Sequence, residues 1–175
     1  KGLYFINPLG EEKGKPMQIW TQGEVEASSC WFPTIDAPNE RTTQEICITV
    51  QEKFKTLSNG NLEFSTQNGN GTRTDCWVQK KPHAPYLFMM AVGDFSVTKE
   101  MHHDTLELSY YVEPEYGPYA KDIFGKTGQM IDVYSNLLGV DYPWDKYAQV
   151  VVRDYVSGAM ENTSAVIFGE FAQRT

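Results

Sequence analysis

The sequence predicts a mostly β protein with some α structure, arranged as two consecutive modules. Two observations carry this reading. Residues 1–112 hold short strand-like runs separated by turn signals, the pattern of a sandwich or a saddle-shaped sheet. Between Pro118 and Leu138 the apolar spacing changes to that of a helix, and strand-like runs resume beyond it. The change near Glu113-Pro114 places the module boundary at about residue 112, giving modules 1–112 and 113–175.

In the first module, Gly2–Ile6 and Met17–Trp20 read as strands, and Glu24–Phe32 as a further strand. Phe32–Asn39 is a turn segment with two prolines and two Asx residues. Gln44–Lys53 alternates: Ile46, Ile48 and Val50 face one way, Cys47, Thr49 and Gln51 the other. Asn59-Gly60 matches a tight hairpin turn between Phe54–Leu57 and Leu62–Ser65. Asn68-Gly69-Asn70-Gly71 is a second, longer turn, followed by strands over Asp75–Lys80 and Tyr86–Val92. The latter is apolar on both sides, as a central strand is. Leu106–Val112 alternates again.

In the second module, Ile123, Phe124, Thr127, Met130, Ile131, Tyr134, Leu137 and Leu138 fall at helical spacings. Gly139 is placed to end that helix. Gln149–Val152 and Val166–Phe168 read as strands. No internal repeat or low-complexity tract is present.

Composition excludes several functions. A net charge of −8 and a pI near 4.9 argue against nucleic acid, whose phosphates need a basic face, and weakly favour cationic ligands. No apolar run is long enough for a helical membrane span. The chain opens as Lys1-Gly2-Leu3, with neither Met nor a signal peptide, and reads as a piece of a longer protein. Cys30, Cys47 and Cys76 fit no zinc motif, and their odd number precludes a full set of internal disulfides; they read as buried thiols. His83, His102 and His103 are the only histidines, and none belongs to a His-Glu-x-x-His helix motif. Neighbours on a strand or helix point apart, so His102 and His103 read as surface residues in a polar turn.

Two carboxylate segments stand out. Gly158-Ala159-Met160-Glu161-Asn162 follows the strand ending at Val152. Its small residues allow another backbone to approach, and Glu161 could hold a cation arriving with that backbone. A peptide with a free amino terminus fits this description. In Gln22-Gly23-Glu24, an extended chain would project Gln22 and Glu24 to one side. Two carboxylates from distant parts of the chain could meet on one ammonium group through charge-assisted hydrogen bonds.

These residues resemble the zinc-dependent aminopeptidase N family of gluzincin metallo-aminopeptidases. Gly158–Asn162 resembles its exopeptidase signature, and Thr21-Gln22-Gly23-Glu24 its Thr-Gln-x-Glu/Gln segment. Phe32–Pro38 resembles its Pro-x-x-Asp-x-Pro turn, and Ala91-Val92-Gly93-Asp94-Phe95 the segment closing its N-terminal domain. Tyr142–Tyr147 and Asp154-Tyr155 also match, all in the family's order. The resemblance implies part of an N-terminal β-saddle domain followed by the start of a thermolysin-like α/β catalytic domain. It implies that Glu161 binds the α-amino group of a peptide substrate, joined by Glu24 with Gln22 nearby. Gly158 and Ala159 would lie along the peptide backbone, Met160 would shape the pocket for the first side chain, and Asn162 completes the signature.

The family's zinc is held by His-Glu-x-x-His and a later glutamate, and these 175 residues contain no such motif. The expectation is therefore an internal fragment with no catalytic residue and no metal ligand of its own. Zinc would belong to the full-length parent, whose substrates are peptides with a free N-terminus. The alternative is a non-catalytic binding or scaffold relative of the same fold, although such a protein has no need of an amine anchor.

Overall fold

The computed structural model describes residues 1–173. Its elements, in chain order, are β1 (Leu3–Ile6), β2 (Gln18–Thr21), β3 (Thr42–Gln51), β4 (Lys55–Ser58), β5 (Asn61–Gln67), β6 (Thr72–His83), β7 (Met90–Gly93), β8 (Ser96–His102) and β9 (Leu106–Val112). Helices α1 (Ala120–Phe124) and α2 (Thr127–Leu138) follow, then β10 (Lys146–Val152), β11 (Ala159–Met160) and β12 (Ala165–Gly169). The mostly β architecture expected from the sequence is present.

The strands form three sheets. A four-stranded antiparallel sheet has the order β1-β2-β7-β4, and a three-stranded antiparallel sheet the order β3-β6-β5. A five-stranded sheet runs β11-β12-β10-β9-β8. Its centre is parallel, β9 with β10 and β10 with β12, while both edge strands are antiparallel. Parallel neighbours require a long crossover, and α1 and α2 supply the one between β9 and β10.

Period-two alternation explains how the five-stranded sheet is covered on both faces. Tyr111, Val150, Val152 and Ile167 face a core shared with Trp20, Leu57 and Trp77 of the other two sheets and with Met89 just before β7. Leu108, Tyr110, Val112 and Val151 face Ala120 and Phe124 of α1 on the opposite side. Full burial of one such side chain is worth about 1.5–3 kcal/mol. The central position of β7, between β2 and β4, agrees with its two-sided apolar pattern.

Several expectations change. Glu24–Phe32 is not a strand: it turns, with the Ala27 N–H donating to Gly23 O at 2.9 Å, and enters a 3-10 turn at Ser28–Cys30. Ser28 Oγ donates to Pro85 O at 2.8 Å, a side-chain bond that competes with strand pairing. The strand expected over Tyr86–Val92 is shortened by a 3-10 turn at Pro85–Leu87. The single helix is broken at Gly125-Lys126, where Thr127 Oγ1 lies 2.7 Å from Phe124 O and takes up a carbonyl that the helix would otherwise use. Strand β8 was not anticipated. Much of the helical apolar stripe is exposed, with Tyr134, Leu137 and Leu138 each more than 60% accessible.

Asn59-Gly60 does not close a hairpin. β4 pairs with β7 and β5 with β6, so the dipeptide carries the chain from one sheet to another. Gly60 adopts φ +72°, and a Cβ there would stand 1.9 Å from Val78 O, so only glycine fits. The cysteine reading is also corrected. Cys47 and Cys76 are direct cross-strand partners of β3 and β6 and form a disulfide, while Cys30 is exposed rather than buried. The chance that two cysteines fall opposite one another depends on register, which spacing alone does not reveal.

For the histidine pair, His103 lies exposed in a turn as expected, but the two side chains do not point apart. His102 ends β8, and left-handed backbone at His103 (φ +50°) and Asp104 (φ +57°) folds the second ring back beside the first. The ring centroids are 3.9 Å apart, and both Nε2 atoms reach Asp132 of α2.

Candidate functional site

The Gly158–Asn162 segment forms the rim of the five-stranded sheet. Ala159 and Met160 constitute β11, paired antiparallel with Phe168 and Ile167 of β12, and the Gly169 N–H donates to Gly158 O at 3.0 Å. β11 is the outermost strand, so one of its sides pairs with β12 and the other belongs to the sheet edge. Such an edge can accept an extended peptide as an added strand. Exposure alternates along it: Gly158, Ala159 and Glu161 are exposed, whereas Met160 and Asn162 are buried. Neither amide atom of Asn162 has a hydrogen-bond partner among the described residues.

The Gln22–Glu24 segment comes to the same place. Gln22 follows β2 and is held by its N–H, which donates to Gly2 O at 3.0 Å. Its side chain is buried, and Nε2 lies 3.4 Å from Met160 Sδ. The Tyr155 hydroxyl donates to Gln22 Oε1, which fixes the amide with its NH2 towards Met160. Glu24 is exposed beside it. Burial, and then the negative charges of Glu24 and Glu161, push the Tyr155 hydroxyl well above the ordinary tyrosine range. The structure brings together Gln22, Met160 and Tyr155 by contact.

Tyr155 is held by the residues before it. Its ring meets Trp20 edge-on at 5.0 Å, and Trp20 stacks on Tyr4 at 4.1 Å. Trp20 Nε1 donates to Arg153 O at 3.0 Å, and the Arg153 N–H donates to Gln18 Oε1 at 2.9 Å. The Arg153 guanidinium grips buried Glu113 in a bidentate pair, Nε to Oε1 at 2.5 Å and Nη2 to Oε2 at 2.7 Å. Sequence reasoning gave no role to Tyr155, Arg153 or Glu113; the Asp154-Tyr155 match was the one available signal.

A second set of missed residues underpins the segment from below. Asn59 Nδ2 donates to Thr163 O at 2.7 Å and to Leu87 O at 2.8 Å, while its Oδ1 accepts from the Met89 N–H at 2.7 Å. The Gly60 N–H donates to Ser164 Oγ at 2.8 Å. Lys146 is buried, and its ammonium donates to Ser58 O at 2.7 Å and to Gly60 O, with the Trp77 ring 4.8 Å away. Burial pushes its pKa down to about 7. Nothing in the spacing of Asn59 or Lys146 announces these long-range bonds.

The histidines provide no catalytic zinc site of the thermolysin type. His83 is buried against Phe88 and Trp144, and His102 and His103 are adjacent in sequence rather than separated as a helical pair of ligands requires. Among the described residues the histidines do not form the two-histidine helix pair of that catalytic site.

Comparison with known proteins gives the lineage of this β-rich framework. Residues 1–87 match the Peptidase M1 N-terminal domain, and residues 123–172 match the Peptidase family M1 domain. The chain belongs to the M1 peptidase family. It is 27% identical over 167 residues to glutamyl aminopeptidase of Bos taurus, covering 95% of this chain and 18% of that protein. It is 29% identical over 156 residues to puromycin-sensitive aminopeptidase of Caenorhabditis elegans, covering 87% of this chain and 16% of that protein. The chain thus spans less than a fifth of the length of these relatives.

Proposed function

We propose that this chain is the amino-terminus-recognition part of a zinc metallo-aminopeptidase. In this reading Glu161 and Glu24 share the α-ammonium group of a peptide, and Gln22 supports them. Gly158 and Ala159 run along the substrate backbone, Met160 shapes the pocket for the first side chain, and Asn162 completes the substrate-binding segment. The observation that carries the reading is the meeting of Gln22, Met160 and Tyr155, which joins the Gln22–Glu24 segment to the Gly158–Asn162 segment. An ammonium held at a fixed distance from one peptide bond confines cleavage to the terminal residue, and such positioning can lower a barrier by several kcal/mol. The modules proposed are 1–112 and 113–175. Their boundary falls in the stretch between the two family matches, and β8 and β9 cross it by pairing with the second module's sheet.

In the whole protein, zinc would activate the water that attacks the peptide. No catalytic step is assigned to it, because this sequence contains no His-Glu-x-x-His motif. By itself the 175-residue chain is expected to recognise substrate without cutting it.

The test compares a short peptide with its N-acetylated form, by chemical-shift perturbation on the 175-residue chain. The free amine is expected to bind about tenfold or more tightly, the worth of a hydrogen bond to a charged group. Glu161→Gln and Glu24→Gln should each reduce that preference. Equal binding of the two peptides would sink the amine-clamp reading. Turnover of an aminoacyl-p-nitroanilide by this chain, abolished by a chelator, would overturn the assignment of catalysis to residues outside it.

A further inference from the structure

The tip of the β8–β9 hairpin and the middle of α2 meet at a cluster the peptide-recognition reading does not use. His102 Nε2 lies 2.8 Å and His103 Nε2 2.9 Å from the same oxygen, Asp132 Oδ1. The three ligand atoms all fall within 4.8 Å of one another. They sit on the wall of an open cavity of about 470 Å³ that Asp141 and Asp145 also line. Two imidazoles and a carboxylate, with acidic neighbours and access to solvent, are a donor set suited to a borderline cation rather than to an anion or a peptide.

We propose that His102, His103 and Asp132 bind one divalent transition-metal ion of the zinc class, with the remaining position open to water. Imidazole suits zinc, copper and nickel, whereas magnesium and calcium take all-oxygen shells. With zinc–ligand bonds near 2.0–2.2 Å, tetrahedral ligand atoms lie roughly 3.3 Å apart. Each Nε2–Oδ1 separation would lengthen by about half an ångström to admit the ion, while the Nε2–Nε2 separation, within 4.8 Å, would adjust towards the same value. Without the ion, each Nε2 carries the proton it donates to Asp132; with the ion on Nε2, each neutral imidazole carries that proton on Nδ1 instead.

Two features of the backbone prepare this geometry. The left-handed conformations at His103 and Asp104 turn neighbouring side chains towards one another, against the alternation of a strand. Gly128, one turn before Asp132 on α2, lets the His102 ring lie against the helix. A Cβ at Gly128 would stand 2.6 Å from His102 Nδ1. The bound ion would tie a hairpin tip to a helix that touches the core only lightly, so the site is a structural clasp.

Calorimetric titration of the 175-residue chain with Zn2+ tests this. One saturable equivalent is expected, accompanied by a higher melting temperature. Mg2+ should not compete. His103→Ala, at a residue whose side chain is 70% exposed, should preserve the fold and weaken Zn2+ binding at least about tenfold. Asp132→Ala and His102→Ala should do the same. Gly128→Ala should weaken binding without removing a ligand, an effect that adventitious surface histidines would not show. A His83→Phe control should bind as wild type does. Absence of saturable Zn2+ binding, or binding unchanged in the His102→Ala/His103→Ala double variant, would overturn the proposal. Peptide binding at the sheet edge is a separate measurement, and its failure would leave this result standing.

Discussion

Two regions touch the Gly158–Ser164 segment and differ in almost every respect. Below it, the corner formed by Asn59, Gly60, Lys146, Thr163 and Ser164 is buried and rich in hydrogen bonds. Above it, the edge carrying Gly158, Ala159, Glu161 and Glu24 is exposed and keeps its polar tips in solvent. The corner fixes where the backbone runs, and the edge offers chemistry to whatever arrives. A recognition strand needs both: an ordered floor, so that little entropy is lost on binding, and a solvated rim that a ligand can desolvate.

The largest effect expected of this division is at the corner. Asn59→Ala removes three hydrogen bonds and leaves Leu87 O, Thr163 O and the Met89 N–H in need of partners. A loss of about 3–5 kcal/mol in urea unfolding is expected. A loss below about 1 kcal/mol would mean that the corner is not the anchor it looks to be. Next is Lys146→Met, which withdraws the donor from Ser58 O and Gly60 O. About 1–3 kcal/mol should be lost at neutral pH.

Beside the corner, His83 gives a pH-dependent prediction. It is buried with no hydrogen-bond partner for either ring nitrogen among the described residues, and burial pushes its pKa from 6.5 down to about 4. Between these values the unfolded chain binds a proton that the folded one refuses, so stability rises with pH across that window. As pH falls from 6.5 towards 4, this group should remove roughly 2–3 kcal/mol. His83→Phe should flatten that part of the profile, and an unchanged slope would assign the acid sensitivity to other groups. The smallest effect belongs to the edge. Glu161→Gln should shift stability by no more than about 0.5 kcal/mol. In the whole protein it should lower kcat/KM strongly while zinc stays bound. A large loss of stability would make Glu161 part of the floor rather than the rim.

Much of the architecture was legible because it rests on local periodicity. The alternation of Leu106–Val112 and the apolar run at Val150–Val152 are both strands, and both are covered on their two faces. The errors came where a local signal had a non-local answer. Asn59-Gly60 does supply the positive φ that its turn chemistry predicts, but the strands on either side choose partners in different sheets. Cys47 was correctly placed on the face opposite Ile46 and Ile48, yet its bond to Cys76 depends on the register of β3 against β6. Ser96–His102 escaped notice because it is polar and lies at an edge, where burial leaves a faint imprint on sequence. At the site, Gln22 and the Gly158–Asn162 segment were legible from motif resemblance. Their meeting was not, because it is arranged by Trp20, Arg153 and Tyr155, whose bonds span more than a hundred residues.

The sheet change at Asn59-Gly60 also bears on the order in which the chain assembles. The three-stranded sheet draws all its strands from residues 42–83 and closes only short loops. The four-stranded sheet must wait for β7 before β2 and β4 have a partner between them. Loop-closure entropy therefore favours the β3-β6-β5 unit as an early folding nucleus. The bonds from Asn59 and Gly60 to Thr163 and Ser164 join chain stretches 104 residues apart, so they close late. The proposed recognition edge is built on late-closing contacts of this kind, and amide exchange should find the backbone around Ser164 opening before that of β6 does.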